Sequence, residues 1–237
     1  MPTGYCTVDD LRRALRAADL PGDAAQDRTI AIDAITSQTE WLQETVRRHW
    51  YEPTGLDEDT DNLIPTEPLT HDEDQQDIST GIIMVAGEGL EPSTRRGRYT
   101  GIDLYRRDVR SFTELLVLNA DGGYDDWVAD DAITEGRDGD YYVQIDDANG
   151  WSTLYLDTET LDDDIDDYRN AVIATYEWGI EGITTTVRRA IAMRAAAQLL
   201  TDDDAALGIP DNGQLVPAES KIQALERQAD ELLGIHK

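Results

Sequence analysis

The chain has 237 residues, of which 50 are acidic and 20 basic, giving a formal charge of -30; 40% are hydrophobic, with 5 Trp and 10 Tyr. That is enough apolar material to offset chain entropy, which excludes wholesale disorder, and enough length for one good core or for a domain carrying a large insertion. The charge excludes non-specific nucleic-acid binding and adhesion to anionic membranes, both of which need clustered Lys and Arg.

Nothing approaches a run of about 18 apolar residues, so no membrane span is expected. Met1 to Asp10 lacks a basic stretch leading into an apolar run, so no signal peptide is expected either. Only Lys221 and Lys237 are lysines; the other basic residues are arginines. This Asp-rich, Lys-poor balance resembles proteins of extremely halophilic archaea and their viruses. In dilute buffer such like charge repels itself, whereas at about 1 M salt the screening length falls to roughly 3 Å.

Thr7-Val8-Asp9-Asp10 has the spacing of a capping box, and Val8, Leu11, Leu15 and Ala18 follow on one helical face up to Pro21-Gly22. Asp23 with Gln26 repeats the start signal. A long second helix is predicted from Ala31, Ala34, Ile35, Gln38, Trp41, Leu42 and Val46 to near Trp50. Glu52 to about Gln76, with Pro53, Pro65 and Pro68 among acids, reads as a loop. Ile82–Ala86, Gly101–Tyr105, Glu114–Leu118, Tyr141–Ile145, Ser152–Leu156 and Ala171–Trp178 read as strands, with Ala148-Asn149-Gly150 as a hairpin turn. After Gly182 the helical period returns through Ile183, Val187, Ala190 and Ile191. The alanine-dense run Ala195 to Ala197 would let a neighbouring helix approach closely. A last helix starts at Pro217 and carries a narrow seam of Ile222, Leu225, Ala229 and Leu232, continued by Leu233 and Ile235 around Gly234. Such a seam suits a neighbouring helix, either the second helix of the same chain or another protein.

The predicted class is therefore α+β: a helical body made from residues 1–51 and 183–237, with residues 52–182 inserted as a β-rich arm.

Motifs for chemistry are sparse. With 50 carboxylates, paired acids occur by chance anywhere. Asp162-Asp163-Asp164 with Asp166-Asp167 reads as a solvated acidic turn. Asp57, Asp59 and Asp61 begin like a calcium loop, but Asn62 and Pro68 stand where Gly and Glu are required. His49, His71 and His236 lack a second ligand at zinc spacing, and Cys6 is the only cysteine, so no metal or disulfide is expected. Gly87-Glu88-Gly89 lacks the third glycine of a dinucleotide loop, Pro92 standing in its place. Tyr141, Tyr142, Trp151 and Tyr155 could stack sugars, although alternating strand aromatics usually serve a core. The first two helices mimic a helix-turn-helix, but Glu40 and Glu44 would face phosphate. The expected enzyme and cofactor content is none.

The order of features resembles the head-tail connector, or head-completion adaptor, proteins of tailed double-stranded DNA viruses, in a haloarchaeal version. The residues that carry the resemblance are Tyr5-Cys6-Thr7-Val8-Asp9-Asp10-Leu11, the second helix closing on His49-Trp50-Tyr51, Ile102-Asp103-Leu104 followed by Asp108-Val109-Arg110-Ser111, and above all Ala171 to Gly179 leading into the helix from Ile183. That helix usually starts with proline in the family; here Ile183-Thr184 takes the place. Glu52 to Gly101 has no counterpart.

The resemblance implies a virion protein of the neck, assembled in the host cytoplasm as a ring of about twelve copies closed by heterologous contacts. Its partners would be the portal protein, a downstream neck or tail protein, and further copies of itself, with genomic DNA passing through without sequence-specific binding. The seam Ile222, Leu225, Ala229, Leu232, Leu233 and Ile235 is the expected portal or subunit interface. Arg95, Arg96 and Arg98, the densest basic patch in the sequence, are the expected contact with another neck protein. Another tail-completion protein, or a cellular halophilic ligand-binding β domain, is the alternative.

Overall fold

Thr7 opens the first helix as its capping box predicts, in a computed structural model that describes residues 3–15, 24, 27–56, 63–73, 95–96, 98–161, 172–202, 209–211 and 214–234. The Thr7 amide donates to Asp10 Oδ2 at 3.0 Å and the Asp10 amide donates to Thr7 Oγ1 at 3.2 Å, the reciprocal pair of that motif. This helix, α1 (Val8–Leu15), is followed by α2 (Arg28–Val46) and β1 (Trp50–Tyr51). Next come β2 (Leu69–Glu73), β3 (Arg95–Arg96), β4 (Tyr99–Asp103), β5 (Val109–Leu118), β6 (Tyr124–Asp126), β7 (Tyr141–Ile145), β8 (Ser152–Asp157) and β9 (Val172–Trp178). After these lie β10 (Ile180–Glu181), α3 (Thr185–Asp202), the antiparallel pair β11 (Ile209–Asp211) and β12 (Gln214–Val216), and α4 (Ala218–Leu233).

The fold is α+β and divides into two compact units, one holding the four helices with the short pairs β1-β10 and β11-β12, the other the two four-stranded sheets. The helical unit takes Met1–Val46, Trp50–Pro68 and Ile180–Lys237; the β unit takes Arg47–His49 and Leu69–Gly179. The stretch before Pro68 belongs to the helical unit because main-chain bonds hold it there. The Gly4 amide donates to Leu63 O and the Glu52 amide to Pro65 O, each at 2.8 Å.

In the helical unit α3 is central. Val187, Ala190, Ile191, Ala195, Ala196 and Leu199 are all buried, and α1, α2 and α4 each pack on it. A helix apolar on nearly every face is one surrounded by others, and its alanines allow the close approach. Thr184 caps it: its Oγ1 accepts the Val187 amide at 3.3 Å. The second helix stops at Val46 rather than near Trp50, because Arg47 adopts a left-handed φ of 55° and Trp50 passes into β1. There β1 runs parallel to β10, with Trp50 opposite Ile180. Tyr5 is fully buried, edge-on to Trp50 at 5.5 Å, and its hydroxyl accepts from the Trp50 amide and from Gln43 Nε2. Gly4 lets the segment leading to Tyr5 lie against α2, since a Cβ there would sit 2.5 Å from Ile35 Cγ2.

The β unit contains two four-stranded sheets, ordered β2-β9-β5-β6 and β3-β4-β8-β7, with every pairing antiparallel. Inward residues from both sheets, among them Ile102, Leu115, Leu154, Leu156, Val172 and Tyr176, form its core, as in a sandwich. The strand β2 falls in a stretch expected to be loop, and β5, expected over Glu114–Leu118, starts five residues earlier, at Val109. The Asn149-Gly150 turn is wider than a two-residue hairpin: Asp146 N donates to Trp151 O and Gly150 N to Asp146 O, with Gly150 at φ 76°. The strand expected at Ile82–Ala86 lies outside the described residues.

Candidate functional site

Three helices of the helical unit frame a groove of about 570 Å³, within the range of binding clefts. The α3 helix supplies its floor through Ala192 and Met193; α1 and α4 supply the walls through Ala14 and Ala224, whose small side chains leave the space open. Around this floor stand Arg13, Arg188, Arg189 and Lys221, and among the described lining residues the one acid is Asp10.

Asp10 is held by its helix as much as it holds the groove. One oxygen caps Thr7 and receives Arg188 Nε at 2.5 Å; the other receives Arg13 Nη1 at 3.3 Å. The Arg188 and Asp10 side chains are 22% and 13% exposed, so this pair is partly shielded from solvent, whereas the Arg13 side chain remains 65% exposed. A carboxylate shared between two guanidinium groups restrains both. Arg189 is exposed and Lys221 is buried in the wall. In a chain of charge -30 this is a local reversal of sign.

The α4 seam is not a free surface, which corrects its expected role as a docking face. Leu225, Ala229 and Leu233 are buried, and Ile222 and Leu232 pack partly buried against the same core, shared with α3. The partner helix is the chain's own α3, not the second helix. Ile235 lies outside the described residues.

Of the expected basic loop, Arg98 is tied into its own unit. It pairs with Asp157 at 3.2 Å, donates to the Tyr99 hydroxyl at 2.9 Å and reaches the carbonyl of Asp138. Arg95 and Arg96 form β3 opposite Thr100 and Tyr99.

The β unit holds a buried polar network that sequence reasoning missed. Glu73 is fully buried, accepts the Tyr176 hydroxyl and takes the Tyr105 amide on both oxygens, at 3.0 and 3.1 Å. His71 stacks on Tyr105 at 5.7 Å, and Arg106 lies over the Trp178 ring at 4.7 Å. Burial first, and then the Glu73 charge, holds the Tyr176 hydroxyl well above the usual tyrosine range. Nearby, Arg48 pairs with Asp108 at 2.7 Å beneath Gly150, where a Cβ would fall 2.6 Å from the Asp108 carboxylate. Burial, reinforced by Arg48, lowers the pKa of Arg107, which lies 4.3 Å over the Trp151 ring. Every Glu73 contact named here is a hydrogen bond within the fold, so the network adds to the cohesion of the β unit.

Of the four aromatics considered for sugar stacking, Tyr141 is buried in the core and Trp151 is taken by Arg107. Tyr142 and Tyr155 stack on each other at 4.9 Å, with Tyr99 edge-on to Tyr142. Among the described residues there is no group of three His, Cys, Asp or Glu side chains placed to hold a metal ion, and no helix long and apolar enough to cross a membrane. Comparison with protein-family models and with curated proteins finds no match to either.

Proposed function

We propose that the chain is a structural virion protein, the adaptor that forms a ring in the neck of a salt-adapted tailed virus and lets the genome pass between portal and tail. The observation that carries this reading is the division of the chain: both ends build one helical body around α3, and the sequence between them forms a separate β sandwich. That is the plan the sequence resemblance implies, and the residues that carry the resemblance stand at its joints. Tyr5 and Trp50 meet in the helical core, and β9 closes on Trp178 and on Gly179 at φ 140° before the Thr184 cap starts α3.

With the α4 seam withdrawn into the core, the groove between α1, α3 and α4 is the surface proposed for contact with another protein. The work of such a protein is cooperative assembly, and no bond is made or broken. Quantitative mass spectrometry of purified virions tests the reading: the chain should be present at about twelve copies per particle, matching the portal ring. Absence from the particle, or a copy number of hundreds, would reject it.

A further inference from the structure

The two sides of α4 carry opposite charge. On the groove side lie Lys221, Leu225 and Gln228, facing Arg188 and Arg189 of α3 and Arg13 of α1. Outside the groove lining, Glu219, Gln223, Glu226, Asp230 and Glu231 of the same helix are exposed beside Arg227, and Asp230 is paired with Arg194 of α3 at 3.0 Å. The two patches belong to one helix of 16 residues and share no residue.

We propose that the groove between α1, α3 and α4 receives the acidic outer face of α4 from a second copy of this chain, so that copies join head to tail. The inference rests on the adaptor reading in that it names which surfaces close the ring. Three arguments select this occupant. Two molecules each of charge -30 repel wherever acid meets acid, so a contact must begin where one of them presents positive charge, and the groove does so. The complementary acidic residues, Glu219, Glu226 and Glu231, lie on the same helix but outside the groove, so one copy can offer both halves of a heterologous contact that repeats around a ring; an unrelated partner would leave one of the two patches unmatched. The groove floor is small and apolar at Ala14, Ala192 and Met193, which suits the methylene stems of glutamates whose carboxylates reach the guanidinium groups at the rim. At molar salt such pairs act only at contact distance, so they fix register rather than draw copies together from afar.

Cysteines placed at Thr185, an exposed groove residue, and Gln223, on the acidic face, leave every charge intact, and the native Cys6 is buried. Under oxidation, in about 2 M salt and on portal-bearing heads, the T185C/Q223C double variant should give a ladder of cross-linked oligomers. A mixture of the two single variants should stop at dimers, and each single variant alone should give none. In parallel, Arg189→Glu should weaken self-association about tenfold, and adding Glu226→Arg to the same chain should restore it. Copies that assemble in the particle without the Thr185 to Gln223 cross-link would overturn the inference and leave the adaptor reading standing. A cross-link formed by a chain absent from virions would keep the contact and reject the adaptor reading. A chain that is monomeric throughout and absent from virions would reject both.

Discussion

Glu73 and Tyr176 are buried on neighbouring strands, and beside the bond between them each also accepts a main-chain amide, from Tyr105 and Arg106 respectively. Removing the hydroxyl with Tyr176→Phe leaves a buried carboxylate short of a donor and should cost about 1–3 kcal/mol, read as a lowered denaturant midpoint at unchanged slope. The same pair sets a pH dependence. Folded Tyr176 keeps its proton far above the usual range, while the unfolded chain releases it near pH 10. Stability from this group is therefore whole below about pH 10 and declines as pH rises beyond it. A urea series from pH 8 to 11 should show that decline in the native chain and a shallower one in Tyr176→Phe; equal slopes would mean that another group is responsible.

At the level of elements, the seam on α4 now belongs to the core, and that assignment is testable. Leu225→Ala should lose about 2–5 kcal/mol by leaving a cavity against α3, and Leu232→Ala, at a half-buried flank, distinctly less. Equal and negligible losses in thermal or chemical unfolding would return the seam to the surface. The helices were legible because their signals are local: Thr7 and Asp10 lie three residues apart and bond as their spacing implies. The periodicity of Ile222, Leu225, Ala229 and Leu232 marked an apolar face correctly but could not say which helix would cover it. The strand β2 was illegible for a physical reason: its one buried side chain is Glu73, a carboxylate paired with a tyrosine 103 residues away, so no apolar alternation announces it. The groove was hidden in the same way. Arg13 and Lys221 each occupy what reads as the polar face of an ordinary amphipathic helix, and only the tertiary packing of three helices brings them to one cleft. The adjacent pair Arg188-Arg189, on an otherwise alanine-rich helix of a chain poor in cations, was the available hint.

For the molecule as a whole, charge governs the conditions under which it folds. With a charge of -30 the native state should gain stability as salt rises from about 0.1 M to 2 M, because screening relieves repulsion that is densest in the compact form. Urea midpoints measured across that range should climb; a flat or falling series would show that the acids are already neutralised within the fold. The segregation of helices from strands was readable from the change of hydrophobic period along the sequence, while the exact joints depended on main-chain bonds at Leu63 and Pro65 that no period records.

One register in the β unit has a practical meaning. Leu69 is paired with Trp178, so the two ends of the inserted stretch leave from directly opposite positions on adjacent antiparallel strands, about 5 Å apart. A cassette whose terminals meet in this way can be cut out and its gap bridged by a Gly-Ser linker of two to four residues, about the span of a hairpin turn. The shortened protein should keep its circular-dichroism helix signal and melt cooperatively, which would make the sandwich an exchangeable head on a scaffold that stands without it.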